Sequence, residues 1–248
     1  MIKSLNKGKH TSSAIVDGCN NDKDIAERFK DIYKSLYNSV PDERLNNVSL
    51  QVKQLIETKC LIGNCLSPSC HSVNVSTVKD AAKSLAKGKK DETYDMNSNH
   101  FIYGPECLFI RLASLFEAMI IHGCCDSLLN RSVIKPIPKS KSKSCCDSSN
   151  YRAISLIPII SKLLDYVIIS LMEDKLSTSH LQFAYKSDSS TALCTFLVIE
   201  TIQYYRSRGS SVYALLLDAT KAFDKVKFSK LFELLITRNV CPLLIRLL

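Results

Sequence analysis

Carboxylates, cations and cysteines at defined spacings carry the chemistry in this sequence. In LLLDATKAFDKV, residues 215–226, an acid directly follows a run of apolar residues. The run at 212–217 has the length and continuous apolar character of a strand buried on both faces, which places Asp218 at a rigid strand tip facing solvent. A hard cation such as Mg²⁺ takes oxygen ligands in that setting, and two such ions can clamp the attacking and leaving oxygens of a phosphoryl displacement. An Asp there serves equally well as a turn or cap residue, so spacing alone leaves both roles open.

A second concentration of chemistry is basic. Between residues 131 and 152 lie Arg131, Lys135, Lys139, Lys141, Lys143 and Arg152, against the single acid Asp147. That stretch holds over half of the whole chain's excess of +9. Prolines forbid a helix in SVIKPIPK, and YRAISL reads as a second strand. Two short strands joined by a Lys-rich loop would present cations to phosphates, although a merely solvated loop has the same composition. A third cluster, Cys60, Cys65, Cys70 and His71, has the spacing C-x4-C-x4-C-H. It resembles a small zinc knuckle, with wider gaps than the usual C-x2-C, and incidental thiols in a loop explain it as well.

The elements that must position these groups are mostly helical. Apolar spacing predicts helices at 22–37, 50–62 and 76–86, and at 107–121 with Leu108, Leu112, Leu115 and Met119 inward. Further helices are expected at 160–176, 190–206, 228–237 and from Pro242 onward, and residues 88–100 read as a polar loop. The class is α+β. With 248 residues, 46% hydrophobic and 23% charged, the chain can bury a substantial core. No run approaches the roughly 18 apolar residues of a membrane helix, so no membrane partner is expected. The basic N-terminus lacks an apolar stretch behind it, and the eleven cysteines are then expected to be reduced in an intracellular setting, cytoplasmic or nuclear.

Four segments in fixed order carry a family resemblance: SVIKPIPK, NYRAISLIPIISKLLD, HLQFAYKSDSST and LLLDATKAFDKV. Together they resemble the reverse transcriptase domain of non-LTR (LINE-like) retrotransposons, over roughly residues 75–248, with residues 1–74 as a helical connector or lead-in. The resemblance implies the fingers and first palm part of a right-hand polymerase, with a few short antiparallel strands. It also implies an RNA template, a DNA primer and deoxynucleoside triphosphates as partners, and Mg²⁺ as cofactor. By the same resemblance Asp218 is the first catalytic, metal-binding carboxylate. Phe223 is the ring that excludes a ribose 2′-OH, Lys139 and Arg152 contact the incoming triphosphate, and Gln182 and Lys186 lie near template and nucleotide.

Departures from the family pattern are Ala153 for Pro, Ala184 and Asp188 for glycines, and Lys186 for Arg; GKKDETYD keeps Asp95 without the family's Pro-Gly. The Y-x-D-D segment with its two further carboxylates does not occur in the sequence, so the chain reads as a domain truncated after the first palm motif. A lone carboxylate cannot hold two metals, and the isolated chain is expected not to polymerise DNA. Two alternatives are a non-catalytic nucleic-acid-binding remnant using the basic segment, and a decayed product that does not fold stably.

Overall fold

A computed structural model describes residues 15–38, 41–60, 72–140, 142, 144–219 and 221–248. About half of the protein is helical, and one two-stranded antiparallel sheet completes an α+β fold. No helix among the described residues is long and apolar enough to cross a membrane.

Helix α1 (Asp22–Tyr37) matches its sequence period. The Asn21 side chain accepts from the Lys23 amide at 2.9 Å, and Asp22 and Asp24 in the first turn with Lys34 in the last complement the helix dipole. Its buried pair, Phe29 and Tyr33, lies one turn apart and packs with Val16, Ile134, Tyr151 and Ala153 in a small core of its own. The main core is built by α2 (Leu45–Leu55), α3 (Val75–Lys83), α5 (Glu106–His122), α6 (Ile159–Met172), α8 (Phe228–Thr237) and α9 (Pro242–Leu247). Val78, Phe116, Ile120, Leu163, Val167 and Leu244 are its most deeply buried side chains.

Three sequence expectations shift. Helix α2 starts at Leu45 rather than near residue 50, because the half-buried Leu45 extends the buried stripe of Val48, Val52 and Ile56 back past the polar Asn46 and Asn47. It continues through a π-helical turn, Ile56–Cys60. In α5 the core face is Phe109, Leu112, Ala113, Phe116, Met119 and Ile120, while Leu115 is 45% exposed and Leu108 only half-buried. The polar Glu106, Arg111, Ser114, Glu117 and His122 share the opposite side, and the expected stripe is rotated toward them, with Leu108 and Leu115 at the border of the core face. The expected polar loop at 88–100 also contains a short helix, α4 (Ser98–Ile102), closed by a reciprocal cap between Asn97 and His100.

The same loop is anchored to the core. Ser98 is buried, its hydroxyl donating to the Ala86 carbonyl at 2.8 Å and accepting from the Lys89 amide at 3.0 Å. Buried Asp91 accepts from the Tyr94 amide at 2.7 Å and from the Ile159 amide, the first residue of α6, at 3.3 Å. The next residue, Glu92, pairs with Lys135 of the sheet.

Strands β1 (Val133–Pro138) and β2 (Tyr151–Leu156) pair antiparallel with Ile137 opposite Arg152. Beyond α6, helix α7 (Thr191–Ser207) buries none of its residues. The strand expected at 212–217 does not form: the segment is irregular, with Tyr213 93% and Leu216 89% exposed. A strand needs a neighbour to satisfy its amides and carbonyls, and the only strands among the described residues, β1 and β2, are paired with each other.

Helix α5 ends at Gly123, held at φ +61°, where Arg246 of α9 donates to the Ile121 carbonyl at 2.5 Å. A Cβ at Gly123 would collide with the Arg246 guanidinium as well as strain the backbone. Gly123→Ala is therefore expected to lower stability by about 1–3 kcal/mol in urea denaturation.

Candidate nucleic-acid interface

The basic sequence run resolves into distinct fates. Lys135 is engaged by Glu92, Arg131 is exposed, and Lys141 and Lys143 lie outside the described residues. Lys139 and Arg152 come together at the loop end of the β1–β2 ribbon. The Lys139 amide donates to the Asn150 carbonyl at 2.8 Å, its ammonium donates to the Ser149 carbonyl at 2.6 Å, and Arg152 donates to the Lys139 carbonyl at 3.5 Å. Both side chains remain exposed, so two cations stand side by side on a pinned backbone. Arg152 offers a planar fork to a phosphate and Lys139 a compact point charge.

The loop behind them is held by several bonds. Asp147 accepts from the Ser149 amide and hydroxyl, both at 2.8 Å, and the Tyr151 hydroxyl donates to the Cys145 carbonyl at 2.8 Å. Asp17, just before α1, accepts from the Ser148 hydroxyl at 2.6 Å and amide at 3.0 Å, and from Arg28 at 3.0 Å. Those Ser148 bonds, followed by the Arg28 interaction, hold the Asp17 carboxyl below its ordinary value. Phe29 stacks against Tyr33 and meets Tyr151 edge-on at 5.1 Å, so α1 braces the ribbon from one side.

The Asp218 region is more open. Asp218 is exposed, on the irregular segment rather than at a strand tip. Phe223 is 74% exposed and touches the ring of Tyr185 edge-on at 5.9 Å, which brings two motifs separated in sequence into contact. Tyr185 escaped the sequence reading, and the only signal for it was a second aromatic two residues after Phe183. Gln182 and Lys186 are held within their own turn, Gln182 donating to the Ala184 carbonyl at 3.0 Å and Lys186 to the Ser179 carbonyl at 3.4 Å. Asp188 has φ +57°, the conformation expected of the glycine it replaces, whereas Ala184 is not among the left-handed residues. No hydrogen bond or ring contact among the described residues joins Lys139 and Arg152 to Asp218. Asp224 lies half-buried near Tyr33, whose phenol burial pushes up to about 12, with Tyr37 and Asp224 adding.

Among the described residues, no group of three His, Cys, Asp or Glu side chains is placed to hold a metal ion. Of the candidate zinc ligands, Cys60 is half-buried and Cys65, Cys70 and His71 lie outside the described residues.

These positions form an ordered set: a basic ribbon, a turn bearing Gln182 and Lys186, and an acid–aromatic segment. Residues 137–248 match the reverse transcriptase (RNA-dependent DNA polymerase) family model. The matched segment begins within β1 and contains Lys139, Arg152, Gln182, Lys186, Asp218 and Phe223. No curated protein matches the chain. Reverse transcriptases bind a nucleic-acid template and primer and generally work with a divalent metal. The donors described here do not fit a two-metal centre, since Asp218 has no carboxylate cluster around it.

Acid should loosen the brace between α1 and the ribbon. Because the Asp17 carboxyl is lowered in the folded protein, its stabilisation is present above the ordinary carboxylate range and lost as pH falls through the lowered value. Asp17→Asn keeps a residue that tolerates the φ of +48° but removes the charge. Melting curves from pH 7 to pH 3 should show the variant below wild type at neutral pH and the two converging in acid.

Proposed function

We propose that this chain supplies the fingers and first palm elements of a non-LTR retrotransposon-type reverse transcriptase, with residues 75–248 as the domain portion and 1–74 as a helical connector. The observation that carries the reading is the ribbon that sets Lys139 and Arg152 side by side within the matched segment. In template-directed deoxynucleotidyl transfer, a primer 3′-OH attacks the α-phosphate of a deoxynucleoside triphosphate and pyrophosphate leaves. Arg152 and Lys139 orient and neutralise that triphosphate. The exposed Phe223 ring, backed by Tyr185, is the surface against which a sugar would pack, and a 2′-hydroxyl would meet it. Gln182 and Lys186 lie toward template and nucleotide, and Asp218 is the family's first carboxylate, which in an active member binds Mg²⁺. An RNA template and DNA primer imply an intracellular protein, cytoplasmic or nuclear.

By itself, the 248-residue chain is proposed to bind nucleic acid without extending a primer, since no cluster of metal-ligating side chains forms around Asp218 among the described residues. Primer extension on poly(A)/oligo(dT) with Mg²⁺ or Mn²⁺, run beside Asp218→Ala, is expected to show no incorporation by either protein. Incorporation that disappears in Asp218→Ala would overturn the proposed inactivity.

Binding is tested separately. Single-stranded RNA should bind with affinity that falls steeply as salt rises. Replacing Lys139 and Arg152 together by Gln should weaken binding to every sequence alike and reduce the log–log salt slope by about 1–1.5, as expected for two lost phosphate contacts on a single strand. An unchanged slope would remove the ribbon from the interface.

A further inference from the structure

Away from Lys139, Arg152 and Asp218, a groove of about 690 Å³ runs between α1 and β1. Its size is that of a small-ligand site. Phe29, Tyr33 and Tyr37 recur along one face of α1 and supply three aromatic rings, with Ile134 and Pro136 on the opposite wall. Two cations, Lys30 and Lys34, line the same stretch, whereas the acid that lines the groove, Asp22, stands eight and twelve residues before them, about 12 and 18 Å along the helix, and Asp224 near Tyr33 does not line it. Lys34 makes no ion pair among the described residues. Lys30 pairs with Glu27, but both partners are mostly exposed, and such a pair is weak enough to exchange for another anion.

One more feature is unexplained by packing. Tyr33 is 7% exposed, and its hydroxyl is buried with no hydrogen-bond partner among the described residues. Tyr33 lines the groove, and a buried phenol without an acceptor is an unmet donor of a kind rare in folded proteins.

We propose that this groove binds a planar aromatic or heteroaromatic ring carrying a phosphate, the chemistry of a nucleotide. The ring lies against the aromatic face of α1, the phosphate meets the Lys30 and Lys34 ammonium groups, and an acceptor on the ligand receives a hydrogen bond from the Tyr33 hydroxyl as the ligand seats against that side chain. Rings on aromatic side chains with cations on the phosphate are the general means of holding nucleotides without reading sequence. The source is either a free mononucleotide or the 5′ end of a strand, and both present the same groups. The inference stands independently of the polymerase reading, because none of its residues belongs to that site.

Calorimetric titration of the full chain with AMP, adenosine and inorganic phosphate tests it. AMP should bind more tightly than either part alone. Lys34→Gln should reduce AMP affinity toward that of adenosine, and Tyr33→Phe, which keeps the ring and the fold, should weaken AMP roughly tenfold. A 5′-phosphorylated tetra-adenylate that binds more tightly than AMP assigns the strand end, and equal affinity assigns the free nucleotide. No AMP binding, or affinity unchanged in both groove variants, overturns the proposal. Affinity lost in the Lys139/Arg152 double variant and retained in the groove variants also overturns it, by moving the nucleotide to the ribbon while leaving the polymerase reading intact.

Discussion

A two-stranded ribbon is marginal in water on its own, and the basic interface depends on one. The β1–β2 pair survives because it is held on several sides. Helix α1 covers one face through Phe29 and Tyr33, which pack with Tyr151 of β2, and Asp17 ties the preceding segment to Ser148 in the connecting loop. Glu92 engages Lys135 from the 88–100 segment, and Asp91 in the same segment reaches the first amide of α6, the helix that β2 leads into. With those contacts made, the backbone at Lys139 and Arg152 has little freedom left. Two exposed cations can then stand together at small entropic cost, which distinguishes them from cations on an unsupported loop.

The second half of the matched segment is built differently. Helix α7 buries no residue, and the apolar stretch at 212–217 faces solvent. Contiguous exposed apolar surface of this kind marks a face made to be covered. Its consequence for the site is direct: Asp218 rides on a segment without a pairing strand, so the rigidity that catalytic metal binding demands is not provided by the described residues. The Tyr185–Phe223 contact is the feature that organises this region, and it joins two motifs through rings that are themselves largely exposed.

Much of the fold was legible because the governing interactions are local. Helices α1 and α8 have the bounds their apolar spacing predicts, the prolines of SVIKPIPK exclude a helix, and Gly123 ends α5 in the left-handed conformation that glycine adopts most readily. The inward face of α5 was misread by a partial rotation, because Leu108 and Leu115 are apolar yet sit at the border with the polar side that carries Arg111 and His122. The 88–100 segment was misread as a plain polar loop because the partners of Asp91, the Tyr94 and Ile159 amides, include one 68 residues distant.

The sequence by itself determined the residue chemistry: a carboxylate after an apolar run, a basic stretch between two extended segments, and the ordered motifs that place residues 137–248 with reverse transcriptases. Those properties reside in side-chain type and spacing, which need no partner to exist. Only the tertiary structure decided which cations meet, since Lys139 and Arg152 converge through antiparallel register while Lys135 is drawn to Glu92. It also decided that the apolar run before Asp218 is not a strand. A strand is a relation between two segments, and apolar character at 212–217 specifies one member of that relation without supplying the other.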